Sequence, residues 1–135
     1  MNNEQKNSYV KTQITGALIE LLSEKAMEEI SVSELTEKAQ VGRVSFYRNY
    51  KTKEDILREE SNRLIQEWGR LYEANPESSP ETLFPSLFDF YREHKGFYTI
   101  LYQAGMTAIM QETILNTIQI TSEMSNLEAY MKSFW

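Results

Sequence analysis

The stretch SVSELTEKAQVGRVSFYRNY, residues 31–50, decides the fold of this chain. Ser31 followed by Glu34 is a capping-box pattern: the Ser31 hydroxyl accepts from a backbone N–H of the first turn, and Glu34 reaches back. A short helix is predicted over 32–39, with Val32, Leu35 and Ala39 facing inward. Gln40, Val41 and Gly42 read as a turn. A second short helix, about 43–50, carries Phe46, Tyr47 and Tyr50. Two short helices joined by a tight turn, with a longer helix on each side, make a helix-turn-helix unit.

Working outward from that unit, apolar residues keep helical spacing almost throughout. Val10, Ile14, Ala17, Leu18, Leu21 and Leu22 predict one amphipathic helix, roughly 8–25. On the other side Thr52 is an N-cap for a long helix reaching about Tyr72. Glu54 and Asp55 favour its first turn, and Leu57, Leu64, Trp68 and Leu71 mark its buried face. Residues 75–80 read as a linker, Asn75 with Pro76 opening it and Pro80 closing it. A helix from near Thr82 then carries Pro85 in its first turn, with Leu83, Phe84, Leu87, Phe88 and Tyr91 along one face. Breaks at His94–Gly96 and at Gly105 delimit Phe97–Tyr102, and Met106, Ile109, Met110, Ile114 and Ile118 follow on the next helix. The fold class is therefore all-α: a three-helix unit holding the helix-turn-helix over 1–52, then a second helical region over 53–135.

Charge is divided in the same way. The whole chain carries −6. Residues 1–58 balance to zero, and 59–135 carry the entire excess. Within 38–58, Lys38, Arg43, Arg48, Lys51, Lys53 and Arg58 face only Glu54 and Asp55. A local basic patch touches phosphates while an acidic remainder stays clear of them. The second short helix is about 10–12 Å long and suits end-on entry into a major groove about 12 Å wide. With Ala39, Val41 and Phe46 holding the two helices together, its outer side offers Arg43, Val44, Ser45, Tyr47, Arg48 and Asn49. Arg43 and Arg48 pair with phosphate or guanine, Ser45 with a base edge, and Val44 with a thymine methyl. Tyr47 reaches phosphate height, Asn49 reaches phosphate or adenine, and Lys53 adds charge at a helix start.

Residues 30–39 and 41–57, above all Phe46-Tyr47 and Tyr50 followed by Lys53, Glu54 and Leu57, resemble the TetR family of transcriptional regulators. The resemblance covers about residues 8–60. It implies three N-terminal DNA-binding helices, a C-terminal regulatory domain, and a homodimer on a palindromic operator, usually as a repressor. It carries contacts over to Arg43, Ser45, Tyr47, Asn49 and Lys53, and adds Ser31, Ser33 and Val44. Within the family the beginning is similar to regulators of dihydroxyacetone kinase operons. Three positions depart from the family pattern: Gln40 where glycine is usual, Gly42 where serine is common, and Asn49 where histidine is common. They bear on which operator is read.

The second region offers a candidate effector pocket lined by Phe84, Phe88, Tyr91, Tyr98, Tyr102, Met106 and Met110, suited to a small apolar or aromatic molecule. The same stripe also reads as plain core. Leu127, Tyr130, Met131, Phe134 and Trp135 continue a helical stripe with no stop signal after it. That pattern predicts a sequence cut inside a helix, with the family's dimer helices beyond it.

With no cysteine, the chain has neither disulfides nor thiolate chemistry. His94 has no second metal ligand beside it and reads as a capping or surface residue. No cofactor is expected, nor is an enzyme, since there is no nucleophile–base pair and no phosphate loop. The absence of an apolar span or leader predicts a soluble cytoplasmic protein. Two functions remain: a repressor released by a small-molecule inducer, and a co-regulator controlled by a protein partner. A closed apolar cavity favours the first, and a filled core with an exposed apolar patch favours the second.

Overall fold

The computed structural model describes residues 2–124, the side chains of 118–124 excepted. Seven α-helices and two 3₁₀ turns account for most of these residues, with no strand among them. The helices are α1 (Asn3–Leu22), α2 (Val32–Ala39), α3 (Arg43–Asn49), α4 (Lys53–Ala74), α5 (Leu83–Glu93), α6 (Lys95–Gln103) and α7 (Thr107–Met124). The stripe from Leu127 to Trp135 lies outside the described residues.

Caps explain the boundaries. α1 begins earlier than its apolar pattern because Asn2 closes a full capping box with Gln5, accepting from its N–H at 2.7 Å. Ser31 caps α2 as predicted, accepting from Glu34 N–H at 3.0 Å. The Glu34 carboxylate, expected to reach back, instead pairs with Lys25 and ties α2 to the end of α1. Thr52 and Asp55 form the reciprocal box that starts α4. Burial pushes the Asp55 carboxyl up, but hydrogen bonds from Thr52 and the Arg58 guanidinium outweigh it, leaving the group below the usual carboxylate range.

The turn between α2 and α3 closes on Gln40, whose φ of 58° and ψ of 42° are left-handed. Its side chain gains nothing there, and an L-residue in that region costs about 1–2 kcal/mol. Gln40→Gly is therefore expected to raise stability by up to about 1 kcal/mol once glycine's greater chain entropy is offset. A urea melt followed by helical circular dichroism reads the shift.

Two apolar clusters hold the molecule together. The first joins Ile14, Leu18 and Leu21 of α1 to Leu35, Ala39, Phe46 and Tyr50, and continues into Ile56, Leu57, Leu101 and Ile109. This core crosses position 52, so the N-terminal helices share it with α4, α6 and α7. The second joins Leu64, Ile65 and Trp68 of α4 to Leu83, Leu87 and Phe90 of α5. Ser61 and Thr113, both buried, meet at 2.9 Å between α4 and α7. Thr113 passes its own proton to the Met110 carbonyl at 3.0 Å, so the pair is satisfied and fixes the register of the two helices.

Several sequence expectations need correction here. Leu71 is exposed rather than buried. Phe84 and Phe88 stand 54% and 60% exposed, because α5 turns Leu83, Leu87 and Phe90 inward instead. The apolar face of α5 is thus offset from the one its aromatic residues suggest. No helix among the described residues is long and apolar enough to cross a membrane.

Candidate nucleic-acid interface

α3 is seven residues long, about 10 Å at 1.5 Å per residue. Phe46 is its anchor, fully buried among α1 and α2 residues. Tyr50, the C-cap, is buried one turn on, with its ring 5.9 Å from Phe46. Burial pushes the Tyr50 hydroxyl up to about 12, with Thr15 pulling the other way, so it is a neutral donor at any physiological pH. Two inward aromatics at i and i+4 leave the opposite side free. Arg43, Val44, Tyr47 and Arg48 occupy it, all exposed, over an arc of about 140° at 100° per residue. Val44 is 72% exposed and Tyr47 is 53% exposed, both high for apolar side chains on so short a helix. The Tyr47 ring meets Phe46 edge-on at 5.0 Å, which holds it upright above the core.

The remaining predicted residues take more particular positions. Arg43 Nη1 donates to Ser33 Oγ at 3.3 Å, so the first turns of α2 and α3 present one polar edge. Four of the five guanidinium N–H groups of Arg43 remain for an outside acceptor. Ser31 is exposed, and its oxygen is engaged as the α2 cap. Ser45 and Asn49 are half-buried on the flank of the exposed arc. Asn49 Nδ2 donates to the Ser45 carbonyl at 2.8 Å, leaving its Oδ1 and second N–H outward.

Lys53 departs from expectation. Its ammonium donates to the carbonyls of Met27 at 2.7 Å and Ile30 at 2.5 Å. It clamps the start of α4 beneath the α1–α2 connection and has at most one proton left for a phosphate. The 3₁₀ turn Met27–Glu29 leaves carbonyls that attract a cation. That turn carries no Gly or Pro that would have revealed it in the sequence. Sequence reasoning also missed the back of the reader, where Lys11 lies 5.8 Å from the centroid of the Tyr50 ring and pairs with Glu59 of α4 at 2.8 Å.

The candidate effector pocket is not assembled as predicted. Tyr102 is 72% exposed, like Phe84 and Phe88 on the outside, while Met106 and Met110 pack on the first cluster. Tyr91 and Tyr98 meet edge-on at 4.5 Å, and Tyr98 packs on that same cluster with the two methionines. Their hydroxyl oxygens are buried with no partner among the described residues, and burial pushes the Tyr98 hydroxyl up to about 12. A crevice of about 390 Å³ does open nearby, but it lies between the end of α4 and α5 and is lined by Trp68, Tyr72, Ser86 and Asp89 rather than by the predicted residues. His94 ends α5 with its ring 4.3 Å from Phe90, as expected of a capping residue. Among the described residues no group of three metal-ligating side chains gathers.

Comparison with known proteins agrees with this geometry. Residues 14–59 match the family described as bacterial regulatory proteins, tetR family. Over 103 residues, 70% of the chain, the sequence is 27% identical to the uncharacterized HTH-type transcriptional regulator YxbF of Bacillus subtilis (strain 168). The matched part is 27% of that protein's length, so the chain spans about a quarter of the curated relative. Among solved structures, Lin0861 from Listeria innocua superposes with a TM-score of 0.80 over 90% of this chain and 67% of that one. At 17% identity, that likeness is one of fold.

Proposed function

We propose that the chain, whose residues 14–59 match the tetR family of bacterial regulatory proteins, is a transcription regulator that reads duplex DNA through α3. One observation supports the reading above the others: Val44 and Tyr47 stand exposed between Arg43 and Arg48 on a short helix whose other side is buried aromatic core. An apolar contact for a thymine methyl, flanked by cations for guanine and phosphate, is the chemistry of major-groove readout. Ser31, Ser33 and Arg48 would hold phosphates, and Arg43, Val44, Ser45, Tyr47 and Asn49 would face the bases and the groove wall. The protein acts as a repressor, and as a homodimer it sets two copies of α3 on a palindromic operator.

Release from the operator has two readings, each with its own observation. The unpartnered hydroxyls of Tyr91 and Tyr98 support a small effector that supplies an acceptor. The exposed Phe84 and Phe88 favour control by a protein docked on α5.

Selection of genomic fragments on the immobilised chain tests the DNA reading. Specific duplexes are expected to be retained, and Arg43→Ala should weaken their binding by about 1–3 kcal/mol with relaxed choice at one base position. Fragments retained without any shared sequence, or equal binding of parent and variant, would count against it.

A further inference from the structure

We infer that Lys53 is a positioning residue for the reader, a clip that sets α2 against α3, and not a phosphate contact; the inference rests on the DNA reading above. α2 starts just after Ile30 and Ser31, and α3 ends at its C-cap Tyr50, three residues before Lys53. The hairpin of α2 and α3 is closed at one end by the turn at Gln40. Its open end lies between Ile30 and the start of α4. Lys53 spans that end. Its half-buried side chain donates to the Ile30 carbonyl at 2.5 Å and to the Met27 carbonyl at 2.7 Å, across 23 and 26 positions of the chain.

Both sides of the clip are anchored. The side chains of Met27 and Ile30 are buried in the first cluster, and the Ile30 N–H donates back to the Met27 carbonyl at 3.1 Å. Ile56 and Leu57, one turn along α4 from Lys53, enter the same cluster. What the clip holds is the opening between two helices of only eight and seven residues. In the proposed reading Ser31 and Ser33 at the start of α2 hold phosphates, while Arg43, Val44 and Tyr47 of α3 face the groove. Phosphate contacts fix the register of a protein on the duplex, and base contacts carry the sequence. The two sets agree only while α2 and α3 keep one separation. Turning Lys53 outward to a phosphate would strip a charge-assisted bond from each of two carbonyls and free the open end of the hairpin.

Two measurements test the inference. The first compares the parent with Lys53→Met, which keeps an unbranched apolar stem and removes the donors, helical circular dichroism showing that it is folded. The affinity of each is read against salt, for a duplex selected by the parent and for the same duplex changed at one base pair. Loss of a phosphate contact would shrink the salt slope by about 0.9 and weaken both duplexes alike. Loss of the clip should leave the slope at the parent's value and weaken the selected duplex roughly tenfold. It should also bring the changed duplex to within a few-fold of the selected one. The second measurement needs no variant. Scalar couplings from the Lys53 ammonium nitrogen to the Met27 and Ile30 carbonyl carbons, read by NMR across the hydrogen bonds, are expected both in the free chain and on the duplex. A coupling from that ammonium to a duplex phosphorus overturns the inference, as does a smaller salt slope in Lys53→Met with discrimination intact. A parent chain that selects no shared sequence overturns the DNA reading itself, and this inference falls with it.

Discussion

Replacing Phe46 with alanine is expected to cost about 3–5 kcal/mol of stability. Phe46 is fully buried where α1, α2 and α3 meet, and its ring touches both Tyr47 and Tyr50 edge-on or tilted. Truncation leaves a cavity bounded by three short or tightly joined elements. A seven-residue helix cannot hold itself in water without tertiary contacts. The loss is a large share of the 5–15 kcal/mol that keeps a domain folded. A urea melt followed by helical circular dichroism should show the midpoint fall steeply, with DNA binding lost alongside. Phe46→Leu, which keeps most of the volume, should recover much of both. A Phe46→Ala chain as stable as the parent would mean that α3 is not anchored by this ring.

Val44→Glu is expected to do the reverse, abolishing DNA binding while leaving the fold intact. Val44 is 72% exposed in the middle of the outward arc, so the new carboxylate meets no core. Glutamate is also the better helix former. In the groove, however, it faces phosphates on both sides with nothing to pair it. A like charge at a binding surface costs several kcal/mol. A fall in affinity of roughly a hundredfold or more follows, since every 1.4 kcal/mol is about tenfold. Fluorescence anisotropy with a labelled duplex reads the affinity, and an unchanged melting curve shows that the fold survived. Together the two substitutions separate a residue that builds the reader from one that reads.

Much of the reader is legible in the amino-acid sequence. Ser31 and Thr52 announce the starts of α2 and α4, because a capping hydroxyl and an acid three residues on are local signals. The division of α3 into buried Phe46 and Tyr50 and exposed Arg43, Val44, Tyr47 and Arg48 follows from helical periodicity alone. The role of Lys53 is not legible, because its partners are carbonyls of a turn more than twenty residues away, and carbonyls leave no mark in a sequence.

The second half misleads for a different reason. On α5 seven of the eleven positions are apolar or aromatic, so several inward faces fit the same string. Burial selects Leu83, Leu87 and Phe90, leaving Phe84 and Phe88 outside. Where an amphipathic pattern has a clean polar side, as on α2, most inward residues can be named in advance: Leu35 and Ala39 are buried and Val32 is half-buried, while Thr36 is buried as well because its hydroxyl bonds back to the Val32 and Ser33 carbonyls. On a helix this rich in rings, tertiary packing decides.

The most direct measurement is a scan of single base-pair changes across a duplex selected by this chain, with the affinity of each variant read at fixed salt. If α3 enters the major groove, changes at a short run of three or four adjacent pairs in each half-site should each cost about 1–3 kcal/mol, while changes outside these runs cost little. Val44→Glu should flatten the profile. A scan in which every change is neutral for the parent chain, with affinity set by salt alone, would mean that phosphates are touched but no sequence is read, and the assignment of α3 as a reader would fall.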